Sequence, residues 1–79
     1  MTRQEVLERL QPLFSEVFEE EVELTEETTA EDVEKWDSLS HLTMIYEVES
    51  EFGMKFKMKE ILGMKNVGEM VDIILREVG

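Results

Sequence analysis

The sequence predicts an all-α fold, a small four-helix bundle with three main helices, one short third helix and a long loop between the first and second. Three observations carry this. Apolar residues recur at helical spacing in three separate stretches. Capping residues stand at the start of those stretches and Gly53 and Gly79 at the end of two. The only alternating stretch, residues 54–59, is short and has no second strand to pair with.

The length and composition set limits before any element is placed. Seventy-nine residues make one small domain, spanning 1–79, which buries only about 60–65% of the surface of its unfolded chain. With no cysteine and a single histidine, neither disulfides nor the usual zinc clusters can support so thin a core. No apolar run approaches the ~20 residues of a membrane span, and no apolar signal segment opens the chain, so a cytoplasmic location is expected. Twenty acidic against eight basic residues give a net charge of −12, which argues against nucleic acid and anionic membranes as partners. The charge is uneven: residues 1–54 hold 16 acids and three bases, and residues 55–79 hold four acids and five bases. The acidic part is expected to meet basic partners.

In chain order, Thr2 and Glu5 fit a capping box. Leu7, Leu10, Leu13, Phe14, Val17 and Phe18 then form one apolar face of a first helix over residues 3–19. Pro12 removes a backbone hydrogen bond to Glu8, so a kink or short break is expected there. Residues 19–36 read as a long acidic connection. A loop of that length serves a function or is tied down; Val22, Leu24, Val33 and Trp36 are its candidate anchors, and residues 29–32 could form one helical turn. The acidic run lacks the spacing and central glycine of a calcium loop, so it reads as a solvated segment with no metal site.

The second helix is expected over residues 38–52, with Asp37 as N-cap and Gly53 in a left-handed C-cap. Ser38 is then the first helical residue, its hydroxyl pointing outward beside the positive end of the dipole, a good place to carry a phosphodiester. Met44, Ile45, Val48 and Phe52 share a face assigned to the core. Leu39, Leu42 and Tyr46 form a second stripe, which either packs under the long loop or serves as a partner-docking ridge flanked by Glu47 and Glu49. His41, one turn after Ser38, has three readings: a boundary side chain, part of the mouth of a binding cleft, or one half of a Ser–His pair. The last is the weakest, since neither an orienting acid nor a Gly-x-Ser-x-Gly turn accompanies it.

Asp37-Ser38-Leu39, followed by an amphipathic helix that ends in Glu51-Phe52-Gly53, resembles the acyl carrier protein family, and the likeness runs over nearly the whole chain. The resemblance implies that the chain is not an enzyme. It implies that Ser38 receives a 4′-phosphopantetheine arm from coenzyme A through a phosphopantetheinyl transferase, with Asp37 presenting the serine and Leu39 helping to dock the transferase. The arm's thiol would carry acyl groups as thioesters, so a chain without cysteine can handle them. Leu42, Tyr46, Glu47 and Glu49 are the implied contacts for acyl-transferring or acyl-modifying enzymes with basic docking patches, and the chain is expected to act as a monomer. Fatty-acid-type or specialised acyl synthesis is the expected setting; aminoacyl, peptidyl or polyketide cargo, or an unmodified acidic docking module, are the alternatives.

Residues 54–57 read as a loop into a short third helix over residues 58–62, stopped by Gly63. Its lysines, Lys55, Lys57, Lys59 and Lys65, depart from a family often acidic in this region, as Thr43 departs from an acid common at its position. Surface solubility is the plain reading of the lysines. Asn66 and Glu69 then open a fourth helix whose Val67, Met70, Val71, Ile74, Leu75 and Val78 face the core and which ends at Gly79. Met44, Met54, Met58, Met64 and Met70 fill core gaps or form an adaptable cavity for an acyl chain.

Overall fold

The structure, a computed structural model, describes residues 1–78. The four helices are α1 (Arg3–Phe18), α2 (Ser38–Phe52), α3 (Met58–Gly63) and α4 (Val67–Val78), with a 3₁₀ turn at Ala30–Asp32. No strand occurs among the described residues. The stop expected at Gly79 lies outside them.

Helix α1 starts as its capping box dictates: the Thr2 hydroxyl accepts from the Glu5 N–H, and the Glu5 carboxylate accepts from the Thr2 N–H at 2.8 Å. The expected break at Pro12 is absent, and the helix is continuous through it. The reason lies in its buried row. Val6, Leu10, Phe14 and Phe18, each four residues from the next, are essentially free of solvent, and that packing outweighs one missing backbone bond. This row also corrects the face expected from spacing. Val6 joins the core, whereas Leu7, Leu13 and Val17 flank it half-buried. Glu19 ends the helix in the left-handed region (φ 54°), a conformation that side chains resist.

Helix α1 packs against α2 and α4 over a core that takes in Met44, Ile45 and Val48 from α2 and Val67, Met70, Val71 and Ile74 from α4. Ile61 is the buried residue of α3. Gly53 caps α2 at φ 63°, and Met54 and Phe56 turn inward while the intervening Lys55 and the following Lys57 face water. Met58 departs from core filling: it is exposed at the start of α3.

The long connection is pinned by more than its apolar anchors. Val22, Leu24, Val33 and Trp36 are buried as expected. Besides these, Gln11 of α1 spans the loop, its amide nitrogen donating to the Val22 carbonyl and its amide oxygen accepting from the Leu24 N–H at 2.9 Å. At the other end the loop meets the first turn of α4, where Val67 N–H donates to Thr28 O and Gly68 N–H to Glu26 O (2.9 and 2.7 Å). A side chain at Gly68 would place its Cβ 2.9 Å from the Glu26 carbonyl oxygen, so this close approach requires glycine. Arg3 closes the same corner by pairing with Glu26 and Asp72.

Candidate functional site

The first turn of α2 is built by Asp37. Its carboxylate accepts from the backbone N–H groups of Leu39 (3.0 Å) and Ser40 (2.9 Å), donors that a helix start leaves unpaired. Ser40 reciprocates, its hydroxyl oxygen accepting from the Asp37 N–H at 2.8 Å. The Ser40 hydroxyl in turn donates to the Lys35 carbonyl at 2.7 Å, which fixes the approach of the loop to the helix. The Ser40 donors, followed by the Leu39 N–H, hold the Asp37 carboxyl below the usual aspartate range. Ser38, between Asp37 and Leu39, is exposed at the first helical position.

Beside Ser38 lies an open groove of about 490 Å³. Trp36, Asp37, Ser38, His41 and Leu42 form its α2 side, and Ile61, Leu62, Met64, Lys65 and Asn66 form the opposite side. His41 crosses between the two. The Trp36 indole N–H donates to His41 Nδ1 at 2.9 Å, and His41 Nε2 lies 3.1 Å from the Ile61 carbonyl oxygen. An indole nitrogen only donates, so Nδ1 is the unprotonated nitrogen and Nε2 carries the proton given to Ile61. Both ring nitrogens are thereby engaged. Behind them Trp36 meets Phe14 and Phe18 with ring centroids 5.5 and 5.6 Å apart.

This arrangement removes the Ser–His reading, because the only lone pair on the imidazole that could take a proton from Ser38 already faces the Trp36 N–H. It also decides the second stripe of α2. Leu39, Leu42 and Tyr46 are 77%, 53% and 69% exposed, so none of them packs under the loop. Glu47 is exposed beside them. Glu49 is half-buried and accepts the Phe56 N–H at 2.8 Å, holding the loop that leads to α3. Thus the groove gathers Asp37, Ser38, His41 and Leu42, whereas Tyr46 and Glu49 line a separate hollow toward Gly53.

The solution NMR structure of a holo acyl carrier protein from Geobacter metallireducens superposes on this chain with a TM-score of 0.85 and 38% sequence identity, over 91% of this chain and 84% of that one. The chain belongs to the acyl carrier protein family. No protein-family model and no curated protein matches it. The family assignment accounts for the all-helical architecture and makes the chain a carrier protein, a class that is generally non-catalytic. Among the described residues no helix is long and apolar enough to cross a membrane, and no group of metal-ligating side chains converges.

Two features of this carrier were hidden from a reading of its sequence. The His41 bridge joins residues five and 20 positions apart in the chain, and no local pattern signals it. Gln11 was equally silent, a polar residue on a helix whose partners lie across a loop. The paired bonds of its amide to one backbone N–H and one carbonyl are visible only once the chain is folded.

Proposed function

We propose that this chain carries acyl groups on a 4′-phosphopantetheine arm attached to Ser38. The observation that carries this reading is the placement of Ser38: exposed, at the first position of a capped helix, at the rim of a groove, in a chain of the acyl carrier protein family. The residues fit the group. A phosphodiester at Ser38 would sit beside the positive end of α2. The groove offers apolar walls from Leu42, Leu62 and Met64 with polar Asn66 and Lys65, a lining that suits a chain of methylenes and amides.

In the modification step the Ser38 oxygen attacks the phosphorus of coenzyme A that bears the pantetheine. The new P–O bond forms, the pyrophosphate bond breaks, and adenosine 3′,5′-bisphosphate leaves as the hydroxyl proton is lost. A phosphopantetheinyl transferase supplies the catalysis. Asp37 holds the helix start in place and Leu39, projecting beside the serine, contributes an apolar contact to the transferase. When bound, the arm supplies the thiol that holds acyl groups as thioesters.

The exposed ridge of Leu42 and Tyr46 with Glu47 is the surface offered to acyl-transferring or acyl-modifying enzymes that carry basic patches. Glu49 joins it through the carboxylate oxygen that does not hold Phe56. This reading places the chain in the cytoplasm as a monomer serving fatty-acid-type or specialised acyl synthesis.

The test is the intact mass of the chain before and after incubation with a broad-specificity phosphopantetheinyl transferase, Mg²⁺ and coenzyme A. One phosphopantetheine is expected on the wild type and none on Ser38→Ala, whose melting temperature should stay close to that of the wild type because an exposed first-turn serine contributes little packing. A folded, unmodified wild type that gains no mass would instead favour an acidic docking module in which Ser38 serves only the helix start.

A further inference from the structure

The groove beside Ser38 has a floor, and the floor is bolted. On the α2 side Trp36 is buried, and its indole rests on Phe14 and Phe18 of α1. His41 lies against it with the two ring planes 21° apart and centroids 5.9 Å apart, accepts the indole N–H, and reaches across to the backbone of α3 at Ile61. The way from the groove toward the core between α2 and α3 is therefore crossed by a side chain hydrogen-bonded at both ends. Below it the core is already filled by Phe14, Phe18 and Met44, all essentially without solvent contact. Parting α2 from α3 would break the part-buried His41–Ile61 hydrogen bond, while the Trp36–His41 bond, within the α2 side, holds the imidazole ring across the way in.

Resting on the carrier reading above, we propose that the Trp36–His41–Ile61 latch keeps the cargo of Ser38 in the surface groove and stops it from entering the helical core. His41 is in this sense a specificity-determining residue. It sets how deep an acyl chain can go, and so whether lengthening the chain adds buried contacts. The ligand class that fits is a short acyl group at the end of the arm, sharing the groove with it. A long aliphatic chain would hang past the groove into water or onto a partner enzyme.

The two arrangements differ in a measurable way. Each methylene buried in a core adds stability, so a carrier that takes in its cargo melts at a higher temperature as the chain lengthens. One that holds it outside does not. The experiment uses the whole chain loaded at Ser38 by the transferase from acetyl-, butyryl-, octanoyl- and dodecanoyl-coenzyme A, with loading verified by mass. Melting temperature is the first readout. The second is the ¹³C-edited proton shift of a labelled terminal methyl group, which moves upfield on approaching the faces of the core residues Phe14 or Phe18.

For the wild type the melting temperatures of the acetyl and octanoyl forms should agree within about 1 °C, with the methyl resonance at its solvent position. In His41→Ala the octanoyl form should melt at least about 5 °C above its acetyl form, with an upfield methyl shift. Trp36→Phe keeps an aromatic ring on Phe14 and Phe18 while removing the indole N–H; it should give a smaller rise in the same direction, and it stands in if His41→Ala does not fold. A wild-type octanoyl form that melts several degrees above the acetyl form, with a shifted methyl group, overturns the latch while leaving the carrier reading intact. So do folded variants that show no dependence on chain length. Failure to load any acyl group overturns the carrier reading and the latch with it.

Discussion

At the scale of single residues, Asp37 does most to organise the site, and its role has a pH signature. Hydrogen bonds from Ser40 and Leu39 hold its carboxyl below the ordinary range in the folded chain. A group whose folded value is depressed contributes stability that is complete above its unfolded value, about 3.9, and is lost as pH falls through the folded value. Asp37→Asn keeps an oxygen able to cap the helix but discards the charge. The difference in stability between wild type and Asp37→Asn, from urea denaturation between pH 6 and pH 3, should therefore be largest at pH 6 and shrink below pH 4. A difference constant across that range would mean that the charge contributes nothing and only the hydrogen-bond geometry matters. The cap itself could be read from the sequence because its donors lie two and three residues away. His41 could not be read in this way, because its partners were distant and a lone imidazole left more than one role open.

Among the elements, the helices were legible and the segments joining them only partly so. Periodicity and caps placed α2 and α4 to within a residue, Gly63 set the end of α3, and the apolar residues of the loop gave its buried anchors, Val22, Leu24, Val33 and Trp36. It misassigned part of the core face of α1, because seven apolar residues on a 16-residue helix permit two overlapping rows, and only the packing of α2 and α4 selects between them. Helix ends show where strain resides. Gly53 adopts φ 63° at little cost, whereas Glu19 adopts φ 54° with a side chain. Replacing Glu19 with glycine should relieve a penalty of about 1–2 kcal/mol while adding about 0.4–1 kcal/mol of unfolded-chain entropy. A net stabilisation of roughly 0.5–1 kcal/mol is expected in denaturant melts. For the loop, Gln11→Ala strands the Val22 carbonyl and the Leu24 N–H and should destabilise by about 1–3 kcal/mol. Hydrogen exchange should locate the effect. The Leu24 amide should exchange faster relative to amides in the middle of α2, whereas a uniform acceleration would mean that the loop and the bundle open as one unit.

The whole molecule carries a net charge of −12 on a body of 30 × 25 × 21 Å, and two electrostatic effects of opposite sign compete in it. Each of the three arginines is ion-paired: Arg3 with Glu26 and Asp72, Arg9 with Glu51, and Arg76 with Glu60 and Glu77. Salt weakens such pairs, but all save Arg76–Glu60, whose carboxylate is 14% accessible, are exposed on both sides, and pairs in that setting contribute little. Repulsion among the remaining acids acts across the entire surface. At about 0.01 M ionic strength the Debye length is roughly 30 Å, as long as the molecule, and it falls to roughly 3 Å at 1 M. Low salt therefore leaves nearly every acidic pair in contact electrostatically, and high salt leaves almost none. Because folding draws these charges together, screening should favour the folded chain. The melting temperature should rise by several degrees between 10 mM and 500 mM NaCl, with most of the gain below about 150 mM, where screening changes fastest. Arg3→Gln tests the balance directly. Removing a cation that faces two acids should lower the melting temperature more in 10 mM than in 500 mM NaCl. A wild-type melting temperature that falls as salt is added would mean instead that the arginine pairs, not the excess of acids, dominate the field that the folded chain experiences.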